Sequence, residues 1–127
     1  MVSFLFRPPR IEHELIMSVG LFDMHTGKPL PGRLTATVIN FSPSGACLIV
    51  PKPALNGKHI FYETLNSDDY TLLLHVEQSE GADDTSTISA RSVWMNSCKH
   101  LQQSAFKIGI HFLHDQKEIY NLFKKVH

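Results

Sequence analysis

The chain has 127 residues, of which 43% are hydrophobic and 19% are charged, so it is long enough to bury the core of one domain and is not disordered in composition. Its 12 Lys and Arg residues balance its 12 Asp and Glu residues, which argues against a binder of nucleic-acid polymers, because such proteins need a basic excess. A small anionic ligand is not excluded, since it needs only a few local cations. We therefore expect a single domain over residues 1–127.

The sequence also bears on the compartment in which the protein works. No apolar run is long enough to span a bilayer, and the apolar start runs directly into Arg7-Pro8-Pro9-Arg10, so we expect neither membrane insertion nor a secretory signal. Cys47 lies in an apolar segment far in sequence from Cys98, which favours a buried free thiol over a disulfide. Together these features predict a cytoplasmic protein.

The first segment, residues 1–13, is predicted to form a flexible N-terminal arm that carries Arg7 and Arg10. Pro8 and Pro9 fix φ and disfavour helix, so both arginines should stand on an extended, solvated stretch. The guanidinium fork of arginine matches phosphate oxygens, and its face stacks on purines. The two arginines could therefore clamp an anionic aromatic ligand, or they could simply solvate the tail.

Most of the remaining chain has the pattern of short strands separated by turn residues. In the predicted strand over 85–95, alternation places Ile88, Ala90, Ser92 and Trp94 on one face. His25 to Gly32 is predicted to be a hairpin turn, and the polar stretch 96–103 a loop. The other strands are expected over 14–24, 33–39, 46–50, 59–62, 70–76 and 105–113. This many short strands indicates a small antiparallel barrel or sandwich.

The pattern changes at the C-terminus, where residues 115–126 predict an α-helix. Apolar residues recur there with the spacing of one helical face, and Asp115 can cap the first turn. A helix of this length is marginal alone, so its apolar face should pack against the sheet. The face consists of Ile119, Leu122, Phe123 and Val126.

The connection between the strands at 33–39 and 46–50 carries Asn40, Ser42 and Gly45. Gly45 should supply either positive φ or a close backbone approach. A plain turn built from Asn, Ser and Gly is the alternative interpretation. The spacing Asn40-x-Ser42-x-x-Gly45 nevertheless resembles the [D/N]-x-S-x-x-G motif of PilZ domains. The upstream arginines, the strand around Trp94 and the Gly-Ile-His-Phe strand over 109–112 extend this resemblance.

The resemblance implies an all-β fold, a small six-to-seven-stranded antiparallel barrel of the PilZ-like, split-barrel type with a C-terminal α-helix. It also implies a ligand, cyclic di-GMP, held by Arg7, Arg10, Asn40, Ser42 and Gly45. The amide of Asn40 can read a guanine edge, and the Ser42 hydroxyl can donate to a phosphate or a guanine acceptor. The chain departs from the family in two respects: Arg7-x-x-Arg10 is one residue shorter than the R-x-x-x-R of PilZ domains, and the gap from Arg10 to Asn40 is longer than expected.

The function implied is that of a stand-alone bacterial receptor, active in processes such as motility or biofilm formation. It would bind cyclic di-GMP and pass the signal to an unidentified downstream protein. The alternative is a PilZ-like adaptor that binds proteins but not cyclic di-GMP, which the shortened arginine spacing favours. The sequence shows no catalytic set, and we expect neither an enzyme nor a cofactor.

Several further residues are candidates for chemistry or for a structural role. Trp94 is expected to be a core or barrel-mouth aromatic rather than a ligand-stacking residue, and Arg91 is a weaker candidate for a third positive contact. Asp68 and Asp69 are expected in a solvated turn. None of the eight histidines has structural zinc spacing with the cysteines, so we expect no metal site.

Overall fold

The computed structural model describes residues 15–77 and 85–114, which form nine strands and one short helix. The predicted arm over 1–13, with Arg7 and Arg10, and the predicted helix over 115–126 lie outside the described residues. The elements are β1 (Leu15–Asp23), β2 (Lys28–Pro29), β3 (Leu34–Phe41), β4 (Gly45–Val50), β5 (Ala54–Leu55), β6 (Lys58–His59), α1 (Ile60–Thr64), β7 (Tyr70–Glu77), β8 (Thr85–His100) and β9 (Gln103–Phe112).

Six strands close into an antiparallel barrel. They follow the order β1-β3-β4-β9-β8-β7, and β7 pairs back onto β1. The short strand β2 is a seventh strand. It pairs with the end of β1, at Phe22 and Asp23, after the predicted hairpin turn. Closure leaves no open sheet edge between these six strands, which removes a template for aggregation. The predicted small antiparallel barrel is confirmed.

The core lies inside the barrel because apolar side chains alternate inward along each strand. In β3, for example, Ala36 and Val38 are buried while Thr35 is exposed. Pro51 follows β4 directly, as expected for a residue that cannot donate to a ladder. The largest fully buried side chains include Leu21, Phe41, Leu48, Ile60, Leu72, Leu74, Ile88 and Ile108.

The predicted strand over 59–62 is wrong for residues 60–62, which lie in α1, whereas His59 ends the short strand β6. Ile60, Phe61 and Thr64 are buried on one side of the helix, and the exposed Tyr62 lies on the other. The Nδ1 atom of His59 accepts a hydrogen bond from the backbone N–H of Tyr62 at 3.5 Å and so caps the first turn. The apolar run is too short for its period to distinguish a strand from one helical turn.

The predicted loop over 96–103 is also wrong. Strand β8 continues to His100, and β9 starts at Gln103. Leu101 and Gln102 form the turn between them, with positive φ values of 51° and 65°. The stretch is polar because its exposed side chains face solvent, while the two backbones pair with each other from Asn96 to Lys107. Hydrophobic alternation does not reveal a ribbon of this kind.

Candidate functional site

The predicted site residue Asn40 belongs to a row of four residues that runs across neighbouring strands. Asn40 on β3 pairs with Cys47 on β4, Cys47 with Gly109 on β9, and Gly109 with Trp94 on β8. With strands about 4.8 Å apart, the two ends of this row are separated by about 14 Å. A cavity of about 280 Å³ lies over the row on the outside of the barrel, and we call it the site cavity.

A β-bulge places Asn40 in this row. Val38 pairs with Leu48 and Asn40 with Cys47, so Ile39 is an extra residue without an opposite partner. Regular alternation from the buried Val38 would turn Asn40 into the core. The bulge instead turns Asn40 to the cavity and Phe41, which is 1% exposed, inward. Bulges commonly re-aim a side chain in this way beside binding sites.

A second bulge does the same for Trp94. Ser92 pairs with Ile110 and Trp94 with Gly109, so Val93 is the extra residue. Ile88, Ala90 and Ser92 are buried together as predicted, but Trp94 leaves their face and is 41% exposed. The prediction that Trp94 shares their buried face is therefore wrong, and Trp94 is not a core aromatic. An extra residue inverts the alternation, and the sequence pattern does not show it.

Gly109 leaves the space that the indole of Trp94 occupies. A Cβ atom built at Gly109 would lie 2.1 Å from Nε1 and 2.2 Å from Cε2 of Trp94. The indole thus lies directly against the backbone of β9, where any larger residue would displace it. Its outer surface remains accessible at the cavity, as an aromatic face on which a planar ligand could stack.

The turn from Ser42 to Gly45 closes one side of the cavity. The backbone N–H of Ser42 donates to the Gly45 carbonyl at 2.9 Å, and the Gly45 N–H donates to Ser42 Oγ at 3.3 Å. A Cβ atom at Gly45 would meet the Ile110 carbonyl oxygen at 2.4 Å, so this glycine serves close backbone approach rather than positive φ. The Ser42 hydroxyl is therefore engaged in holding the turn.

The side chain of Asn40 differs from that of Ser42 in its hydrogen bonding. Within the described part of the chain, its amide forms no hydrogen bond, although the residue is half-buried and lines the cavity. An amide carries two donors and an acceptor, which makes it suited to the edge of a polar heterocycle. An unused group of this kind is a candidate contact for a ligand.

The described lining of the cavity carries no permanent charge. Its titratable members are Cys47 and His111. Burial raises the pKa of the Cys47 thiol, against the opposing effect of the Lys107 ammonium, so Cys47 stays a neutral thiol. Lys107 lies two residues before Gly109 on β9, where alternation gives both the same outward face. It is a nearby described cation for an anionic ligand.

The structure thus brings three of the predicted site residues, Asn40, Ser42 and Gly45, to one cavity. Arg7 and Arg10 lie outside the described residues. Arg91, the weaker candidate for a third positive contact, does not line the cavity, and its guanidinium donates to the backbone carbonyl of Ser67.

Sequence reasoning did not identify the cavity contacts made by Trp94, Gly109 and His111. A signal was available in the pairing of a large aromatic with a glycine on a neighbouring strand. This signal becomes visible only once the register between β8 and β9 is known, because only the register places Trp94 opposite Gly109.

Over residues 15–77 and 85–114, no group of three or more His, Cys, Asp or Glu side chains is arranged to hold a metal ion. No helix in these ranges has the length and apolar character needed to cross a membrane.

Comparisons with known proteins identify the fold. No family model and no curated protein matches the chain. Among solved structures, the chain is similar to the PlzA protein of Borreliella burgdorferi, whose crystal structure was determined in complex with c-di-GMP. The match has a TM-score of 0.56 and 9% identity, and it covers 96% of this chain but only 52% of PlzA. The likeness confirms the predicted PilZ-like fold class.

Proposed function

We propose that the protein is a receptor for cyclic di-GMP that binds the ligand at the site cavity. One observation carries the proposal. Two bulges on different strands turn Asn40 and Trp94 outward onto the same row, on either side of Cys47 and Gly109. Each bulge disrupts a ladder, and together they present an unused amide and an aromatic face at one cavity.

The chemistry of the described lining suits a guanine base. The amide of Asn40 can donate to and accept from the edge of the base, and the indole of Trp94 can stack on its face. Gly109 lets the indole of Trp94 lie against the backbone of β9, and the Ser42–Gly45 turn closes one side of the cavity, so both fix the walls between which the base would lie. The likeness to a protein solved with c-di-GMP supports the same ligand.

The ligand's phosphates require cations that the described lining does not supply. Under this proposal Arg7 and Arg10 provide them, since two guanidinium forks can each engage a phosphate. Lys107 on the outer face of β9 adds a described positive charge near the cavity. Closing the arm over the barrel would change the surface of the protein, through which the signal reaches a partner protein.

Calorimetric titration of the full chain with cyclic di-GMP tests the proposal. We expect saturable binding at micromolar or lower ligand concentration, and quenching of tryptophan emission, because Trp94 is the only tryptophan. Cyclic di-AMP is the matched control, since adenine lacks the guanine edge pattern. Equal binding of both dinucleotides would contradict recognition by Asn40, and no heat at about 100 µM ligand would reject the receptor function.

A protein-binding adaptor that does not bind the nucleotide is the second candidate function. One observation favours it: the Ser42 hydroxyl is already engaged within the turn, so the Asn-Ser-Gly set also has a purely structural role. The same titration separates the candidates, because an adaptor gives no heat with cyclic di-GMP.

The proposal places the protein in the bacterial cytoplasm, in processes such as motility or biofilm formation. Cys47 and Cys98 are free thiols, which supports a reducing compartment. Fractionation of cells that produce the protein tests the location, and recovery in the periplasm would contradict it.

A further inference from the structure

A buried polar contact lies next to the bulge that exposes Trp94. The hydroxyls of Thr64 on α1 and Ser92 on β8 lie 2.7 Å apart, and the two residues are 0% and 5% exposed. Ser92 is the last regularly paired residue before the extra residue Val93. A buried hydrogen bond between distant parts of the chain fixes the position of both.

The direction of this hydrogen bond follows from the neighbouring contact. The Thr64 hydroxyl donates to the Ile60 carbonyl at 2.7 Å, and a hydroxyl has one proton. Ser92 is therefore the donor and Thr64 Oγ1 the acceptor. Removing Thr64 Oγ1 leaves a buried donor without an acceptor, whereas removing the Ser92 hydroxyl leaves Thr64 still bonded to Ile60.

Two more contacts tie the same part of β8 to the segment after α1. Strand β7 pairs with β8 only as far as Ala90, and Leu65 then forms a parallel bridge with Ser92. The guanidinium of Arg91 donates to the Ser67 carbonyl. Arg91 and Ser92, the two residues before the bulge, thus both contact residues 64–67. These contacts oppose a shift of one residue in the pairing of β8 with β9.

Such a slip would matter for the site. If β8 paired regularly beyond Ser92, Val93 would lie opposite Gly109 at the cavity, and alternation would turn Trp94 toward the core. We propose that the Thr64–Ser92 hydrogen bond is a positioning device that holds the β8 bulge and thereby keeps Trp94 at the site cavity. Its effect on ligand affinity rests on the function proposed above, but its effect on Trp94 does not.

The full chain with Ser92→Ala or Thr64→Val tests the inference. Thr71→Val is the matched control, because Thr71 is 1% exposed on β7 and its hydroxyl contacts only Met24 Sδ, at 3.9 Å, within the described residues. The main readout is acrylamide quenching and emission of the single tryptophan in the ligand-free protein. We expect both to change in the Thr64 and Ser92 variants, more strongly in Thr64→Val, and to stay at the wild-type values in Thr71→Val.

Two further measurements sharpen the test. Combining Ser92→Ala with Thr64→Val removes the unpaired donor, so the double variant should be closer to wild type than Thr64→Val alone. Thr64→Val should also weaken cyclic di-GMP binding by about fivefold to tenfold. Wild-type emission in both Ser92→Ala and Thr64→Val would overturn the inference. So would equal changes in these two variants and in the control Thr71→Val. If the wild type binds no cyclic di-GMP, the proposed function fails and the emission data alone decide the positioning role.

Discussion

Two of the cavities on the barrel differ in the bonding of the asparagine side chain that lines them. The site cavity, of about 280 Å³, contains Asn40, whose amide forms no hydrogen bond with the described residues. A larger cavity of about 380 Å³, here called the apolar cavity, contains Asn56, whose amide donates to the Pro31 carbonyl. The rest of its described lining is mostly apolar, with Leu21, Leu30, Pro31, Gly32, Leu55 and Lys58.

The two cavities therefore differ in the bonding of their asparagine side chains as well as in size. The amide of Asn56 holds the β5–β6 hairpin against the segment before β3, and its cavity is a gap in the packing of leucines. The amide of Asn40 forms no hydrogen bond within residues 15–77 and 85–114, and a bulge turns it outward. A buried or half-buried polar group without a partner needs an explanation, and ligand binding supplies one. The following predictions test whether the two regions really differ in this way.

The largest expected effect is on stability, from glycines in the two regions. Gly45→Ala should lower the free energy of unfolding by about 2–3 kcal/mol, because the new Cβ would meet the Ile110 backbone oxygen, which cannot move aside easily. Gly57→Ala, beside Asn56, should cost only about 1 kcal/mol, since its Cβ meets nothing and only positive φ is strained. Urea denaturation measures both, and an equal cost would contradict the close approach at Gly45.

The asparagines give the next effect, with opposite outcomes in the two cavities. Asn40→Ala should weaken cyclic di-GMP binding about tenfold or more and change the free energy of unfolding by less than about 0.5 kcal/mol. Asn56→Ala should leave binding unchanged and cost about 1 kcal/mol of stability, through the lost bond to Pro31. Calorimetry and urea denaturation on both variants measure these effects. Weaker binding in Asn56→Ala, or a loss of about 1 kcal/mol of stability in Asn40→Ala, would contradict the difference between the two asparagines.

A smaller effect is expected from Gly109→Ala. The added methyl group would occupy the position of the Trp94 indole, which is partly exposed and can swing outward. We therefore expect increased acrylamide quenching of Trp94 and about fivefold weaker binding of cyclic di-GMP, with under about 1 kcal/mol lost in stability. Unchanged quenching and affinity would show that the packing of Trp94 on Gly109 has no part in the site.

The smallest effect concerns pH and the hairpin that borders the apolar cavity. His25 Nε2 lies 2.6 Å from Asp69 Oδ1, and this hydrogen bond raises the pKa of His25 above 6.5. The pair stabilises the fold fully below that ordinary value, and the contribution is lost as the pH rises through the raised pKa. Asp69→Asn should lower the pKa of His25 in an NMR titration and should reduce stability slightly at about pH 5 but not at about pH 9. An unchanged His25 titration would contradict the contact.

Sequence patterns predicted the barrel because most strands bury one face, and alternation records that directly. They failed at 59–62 and 96–103, where a helical turn and a polar ribbon do not follow a strand or loop pattern. For the site, they identified Asn40, Ser42 and Gly45 through their spacing. Trp94 was misassigned, because its face depends on one extra residue in β8.

The sequence by itself determined the small antiparallel barrel, the turn from Asn40 to Gly45 and the free state of Cys47, since each follows from local composition or alternation. Only the tertiary structure decided which side chains share the site cavity. Bulges depend on the register between strands, and register depends on contacts between distant residues such as Thr64 and Ser92. The row from Asn40 to Trp94 therefore exists only once the β3–β4 pair and the β8–β9 pair, which are far apart in the chain, have joined through β4 and β9.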